Sequence, residues 1–229
     1  MKFSLLIPTK NRPEMLRTAI RHILKQSYEN FEAVIVDDGH TRNEEMIALS
    51  AKDARVRYIW RNASGIGSAM NDAMRAASGD IFNWHNDDDF IAKRTLEFVA
   101  KNIGDAKWCY GRIVTMNKYR IPVGLMGRPF NFDVEKHQST IPQPAVFWTR
   151  KAFETVGFFD ETIDHATDHE YWLRLAVNFE PKFFNHFFAY YMVHENMGSK
   201  RFAELQTKQW LEIGAKYKDV KPHYLNQGK

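Results

Sequence analysis

The sequence predicts an α/β fold, a mostly parallel central sheet covered by helices on both faces. Three observations carry that prediction. Short apolar runs at residues 3–7, 31–36, 56–60 and from Ile81 onward have the composition of buried strands. Each of the first three leads into a stretch with helical spacing, so strands and helices alternate as they do when parallel strands are joined by crossover helices. The runs also end in polar clusters, Pro8-Thr9, Asp37-Asp38-Gly39 and Asp87-Asp88-Asp89. In open α/β sheets, ligands collect at those carboxyl ends.

Bulk composition sets the bounds. The chain has 229 residues, 44% hydrophobic and 26% charged, enough for one domain with a full core. The single cysteine, Cys109, rules out an internal disulfide and fits a reducing compartment. Flanked by Trp108 and Tyr110, it reads as a buried strand thiol rather than a nucleophile. The apolar run at the start is cut off by Pro8, too early for a secretory leader, and no stretch approaches the ~20 apolar residues that span a bilayer. A cytoplasmic protein, or one held peripherally at a membrane, is the expectation. From Lys200 to Lys229 there are seven Lys or Arg against three acids, an excess equal to the whole-chain charge of +4. That segment is either a solvated helix face or a contact for an anionic surface. It lacks the stripe of basic residues interleaved with exposed aromatics that would argue for nucleic acid.

Taken in order, residues 3–7 form the first strand and Pro13 opens a helix over 14–25, with Leu16, Ala19, Ile20, Ile23 and Leu24 on one face. A strand over 31–36, a short helix over 43–49 and a strand over 56–60 follow. Residues 62–67, small and glycine-bearing, let backbone approach a ligand before a helix that runs to about Ala77. The fourth strand starts at Ile81. A helix over 93–101 and a strand over 108–116 come next. Residues 117–141 show no sustained period, as expected of a lid or binding loop. A strand over 145–148, a helix over 150–156 capped by Gly157, and a helix carrying Asp168 and Glu170 at its front complete the second half. An aromatic strand over 183–193 and a helix over 201–217 end the chain.

The acidic run after the fourth strand needs explanation, because adjacent carboxylates repel. A divalent cation with oxygen ligands would neutralise it, Mg²⁺ or Mn²⁺ being the ions that bridge to phosphates. The competing reading is a helix N-terminus with Asp87 or Asp88 as cap. Asp168 carries the same ambiguity, an N-cap or a functional carboxylate. His194, alone after a strand, is by itself of a kind more often structural than a ligand.

Together these segments resemble the inverting nucleotide-sugar glycosyltransferases of family 2, which have the GT-A fold. The resemblance runs from about Phe3 to Ser199. It rests on the stretch from Ser4 to Arg12, on Val34 to Gly39, on Asn62 to Asn71, and on Asn86-Asp87-Asp88-Asp89 at the place of the family's D-x-D. It continues through Gln143 to Trp148, Gly157 to Glu161, and Ala166 to Arg174. It implies a donor-binding half over 1–90, an acceptor half over 91–199, and a basic amphipathic helix and tail over 200–229. By the same resemblance, Mn²⁺ or Mg²⁺ would rest on Asp88 with His194. Pro8, Thr9, Asn11, Arg12, Asp38, Asn62, Asn71 and Asp87 would contact the nucleotide sugar. Asp168 would be the catalytic base. A UDP-sugar is the default donor and a glycan or lipid-linked hydroxyl the acceptor, in cell-surface polysaccharide synthesis, with the basic tail at the membrane.

Two positions depart from the pattern: Asn86 replaces the first acid of the motif, and Lys10 stands where an aromatic commonly stacks on the base. The rival readings are a nucleotidyltransferase, which would want glycines after the first strand, and a non-catalytic module binding sugar nucleotide or glycan.

Overall fold

From the N-terminus the element order is β1 (Phe3–Thr9), α1 (Pro13–Ile23), β2 (Phe31–Asp37), α2 (Glu44–Lys52), β3 (Val56–Trp60), α3 (Ile66–Ala76), β4 (Ile81–Trp84) and β5 (Phe90–Ile91). It continues with α4 (Thr95–Asn102), β6 (Trp108–Met116), β7 (Pro122–Met126), α5 (Phe132–Glu135), β8 (Val146–Thr149) and α6 (Arg150–Val156). The chain then forms α7 (Thr167–Asn178), β9 (Lys182–Met192), α8 (Gly198–Arg201) and α9 (Ala203–Lys216). These elements come from a computed structural model that describes residues 1–61, 65–193 and 197–226.

The strands join one curled sheet in the order β3-β2-β1-β4-β8-β6-β9-β5, with β7 pairing β6 off that path. The first four are parallel to one another. All seven residues of β1 and of β2 are buried, as the central strands of a sheet covered on both faces must be. One face packs Leu16, Ile20 and Ile23 of α1 with Leu96 and Val99 of α4. The other packs Met70 and Met74 of α3 with Trp172 and Leu175 of α7. The α/β class read from the sequence is the one observed, with β8 inserted antiparallel between β4 and β6.

Local chemistry explains the boundaries. Pro13 opens α1 as expected. Asn43 caps α2 by accepting from Met46 N at 3.2 Å, and Thr149 caps α6 by accepting from Ala152 N at 3.1 Å. The stretch 117–141, expected to lack regular structure, instead contains β7 and α5. Asn117 shapes the turn before β7 by accepting from Tyr119 N and Ile121 N. Every residue of β7 is exposed, so the alternation that marks a half-buried strand is missing from its sequence. No helix among the described residues is long and apolar enough to cross a membrane.

Candidate functional site

Past the carboxyl ends of β1, β2 and β4 the surface opens into a cleft of about 1020 Å³. Pro8, Thr9, Asn11, Arg12, Asp38, Asp87, Asp88 and Asp168 all line it. Two of the residues expected at the site, Asn62 and His194, lie outside the described residues. Asn71 is not in the lining. It is buried under the cleft, where its amide donates to Phe159 O at 3.0 Å and Glu161 Oε1 at 2.8 Å and accepts from Phe159 N at 2.8 Å.

The acids occupy a turn between β4 and β5, and no helix begins there; α4 starts at Thr95. The N-cap reading of Asp87 and Asp88 therefore fails. Their counter-charge is Arg12, whose Nη1 lies 3.1 Å from Asp87 Oδ1 and 3.1 Å from Asp88 Oδ2. Thr9 Oγ1 donates to Asp87 Oδ2 at 2.6 Å. Burial, opposed by the Thr9 and Arg12 bonds, still leaves the Asp87 carboxyl above its usual range. Asp89 points inward, and burial followed by the charge of Asp88 raises it well above the ordinary value.

Asn86 explains its own departure from an acid. Its Nδ2 donates to Asp89 Oδ2 at 3.1 Å and to Gln143 Oε1 at 2.8 Å, while its Oδ1 accepts from Trp84 Nε1 at 2.8 Å. A carboxylate could supply neither donor and would add a fourth charge to the turn. Gln143 completes the strut by donating Nε2 to Trp84 O at 2.6 Å.

At the carboxyl end of β2, Asp37 and Asp38 divide the labour. Asp37 accepts from Gly39 N at 2.8 Å and from the Tyr58 hydroxyl at 2.7 Å, closing the turn. A Cβ on Gly39 would stand 2.7 Å from Asp37 Oδ1, so the glycine is needed for close approach. Asp38 is held by Arg61, whose Nε donates to Oδ1 at 2.5 Å and whose Nη1 reaches Asp72 at 2.6 Å and Ser68 at 2.8 Å. Arg61 is not among the site residues expected from the sequence. Its position at the end of β3, beside the acidic end of β2, was the available signal.

Asp168 lies in the first turn of α7, but Ala166 is the N-cap and uses no side chain, so the capping reading fails here too. Burial raises the Asp168 carboxyl, against the lowering effect of His169 and its backbone N–H. Part of the wall beside Asp168 comes from beyond residue 199. His165, stacked on Phe202 at 4.7 Å between ring centroids, joins Gln206 and Trp210 in the lining. Two glutamines of α9 grip the His165 backbone, Gln209 Oε1 accepting from its N–H at 2.8 Å and Gln206 Nε2 donating to its carbonyl at 3.0 Å.

Among the described residues no group of three or more His, Cys, Asp or Glu converges as a metal would need. A cation arriving on a diphosphate does fit. Such ions take one or two carboxylates and complete their sphere with phosphate and water, and Asp88 offers a carboxylate to the cleft.

Residues 4–153 match the sequence profile of the family described as Glycosyl transferase family 2. An uncharacterized glycosyltransferase of Rickettsia prowazekii is 26% identical over 191 residues, 75% of this chain and 57% of that protein. Among solved structures, S. aureus TarS (residues 1–349) in complex with UDP-GlcNAc superposes with a TM-score of 0.70 at 20% identity, over 86% of this chain and 60% of that one. The mannosyltransferase PcManGT of Pyrobaculum calidifontis, in complex with GDP-Man and Mn²⁺, gives 0.63 at 16% identity, over 94% and 73%. At such identities the likeness is one of fold. The chain thus spans little more than half the length of that Rickettsia relative.

Proposed function

The chain belongs to glycosyl transferase family 2, and on that premise we propose that it moves a sugar from a nucleotide-diphosphate sugar to a hydroxyl of a glycan or lipid-linked acceptor, with inversion. A UDP-sugar is the default donor and cell-surface polysaccharide synthesis the setting. The observation that carries this reading is that Asp88 and Asp168, eighty positions apart in sequence, face one cleft.

The donor's nucleoside would lie at the end of β1 and β2, against Pro8, Thr9 and Asn11, with Asp38 fixed by Arg61. Its diphosphate would lie by Arg12, a charge-assisted donor already at the cleft. Asp88 would hold a Mn²⁺ or Mg²⁺ carried in on that diphosphate, which when bound supplies Lewis-acid stabilisation to the departing group. Asp168 takes the proton of the acceptor hydroxyl. The hydroxyl oxygen attacks the anomeric carbon from the face opposite the diphosphate, the old glycosidic bond breaks, and configuration inverts. General-base assistance of this kind is worth ~10²–10⁴-fold. Burial of Asp168 makes it a better base than an ordinary carboxylate, since its proton affinity is raised.

A panel of nucleotide sugars tested for thermal stabilisation with Mn²⁺ checks the donor. A ligand at a hundred times its Kd stabilises by about 2.7 kcal/mol, readily seen as a shift in Tm. Stabilisation by one sugar nucleotide followed by its hydrolysis or transfer supports the enzyme. Stabilisation without turnover on any acceptor would favour the binding-module reading, and no response at all would sink both.

A further inference from the structure

We propose that the β6–β7 ribbon is a docking element for an anionic phospholipid surface. Tyr119, Ile121, Val123, Leu125 and Met126 are between 44% and 72% exposed, a contiguous concentration of apolar surface on this chain. An edge strand resting on a core alternates buried and exposed side chains. Here all five residues of β7 are exposed, so this edge strand, paired with β6 while β6 is itself paired with β9, has no covering layer on either face. Its base is fixed, since the Tyr110 hydroxyl donates to Arg128 O at 2.7 Å and a Cβ on Gly127 would meet Gly111 O at 2.9 Å.

Charge identifies the occupant. From Ala106 to Phe132 the chain has five Lys or Arg and no Asp or Glu, although it has 28 acids in all. Lys118, Arg120 and Arg128 are exposed, and none of them is in an ion pair among the described residues. Apolar side chains interleaved with unneutralised cations on an exposed edge strand and its turn suit the boundary between headgroups and acyl chains, where both kinds of contact are satisfied at once. Protein partners that bury this much apolar surface do not demand the missing acids. The ribbon also adjoins the site, because Met126 and Ile113, cross-strand partners, both line the cleft. A membrane held by the ribbon would lie at the cleft's mouth. The lipid contact itself is independent of the proposed transfer reaction.

Co-sedimentation of the full chain with phosphatidylcholine vesicles, with and without phosphatidylglycerol, tests the proposal without donor or acceptor present. Binding is expected to the anionic vesicles only, and to fall at high salt. Lys118→Gln with Arg120→Gln, at the exposed turn, should weaken partitioning roughly 25-fold, about fivefold for each charge. Val123→Ser with Leu125→Ser should weaken it by roughly tenfold or more at unchanged Tm. A control set, Lys216→Gln, Lys218→Gln and Lys221→Gln, should leave most binding intact. The proposal is overturned if the unsubstituted chain ignores anionic vesicles, or if the ribbon variants bind as it does. It is equally overturned if binding is lost only in the control set. A dimer without lipid that dissociates in the ribbon variants would instead make β7 an edge for a second copy.

Discussion

Arg12 balances the charge of the acidic turn, and its removal would leave Asp87 buried beside Asp88 with no cation between them. The guanidinium is partly exposed, so an Arg12→Met variant should lose only about 1–2 kcal/mol of stability while its KM for donor rises. Arg61 is more deeply placed and holds Asp38 through two nitrogens. Arg61→Gln is expected to cost about 2–4 kcal/mol in chemical denaturation and to weaken nucleotide binding in calorimetry. Asp168 makes the opposite case. Its folded-state pKa is raised, so the folded chain holds that proton more tightly than the unfolded chain. Above the raised value the ionised carboxylate costs stability in full. Asp168→Asn should therefore raise Tm at neutral pH while lowering kcat by ~10²–10⁴-fold with donor affinity kept. In the wild type, kcat should fall as pH drops through the raised pKa, at a pH above the ordinary carboxylate range. A melting curve and a pH–rate profile check the pair, and an Asn variant of full activity would remove Asp168 from the mechanism.

Among the elements, α9 carries an unexpected share of the site. It was read from the sequence as a basic amphipathic helix after the transferase domain, yet Phe202 just before it, with Gln206 and Trp210, walls the cleft. Its fit depends on Gly214, where an added Cβ would overlap the carbonyl oxygen of Lys136. Gly214→Ala should push α9 off that segment, costing about 1–3 kcal/mol. Trp210 fluorescence and faster proteolysis near Lys208 would report it; an unperturbed spectrum would mean the backbone yields elsewhere. What could be read in advance follows a physical line. Strands β1, β2 and β4 were legible because burial on both faces leaves a nearly continuous apolar run. That Asp88 and Asp168 line one cleft was expected from the resemblance of their surroundings to family motifs. Arg61 and the Asn86–Gln143 strut were harder to read: Arg61 is marked only by its place beside the acidic end of β2, and Gln143 lies far along the chain from Asn86. β7 was hidden because a strand with no packed face has no alternation, and Pro122 and Gly124 read as loop.

At the scale of the molecule, the two halves distinguished in the sequence share one sheet, since β8 pairs both β4 and β6. The cleft is likewise built from both. Residues 1–90 and 91–199 should thus unfold together, and calorimetry should show one transition with matching calorimetric and van't Hoff enthalpies. Two resolved transitions would show that the halves are separately stable. The position of β8 has a consequence during synthesis. The outer edge of β4 can be completed only by a strand made long after it, so a nascent chain carries that bare, apolar edge while the intervening segment leaves the ribosome. At roughly 5–20 residues per second the exposure lasts several seconds. During that interval the newborn protein depends on chaperones, or on its own speed, to escape sticking to its neighbours.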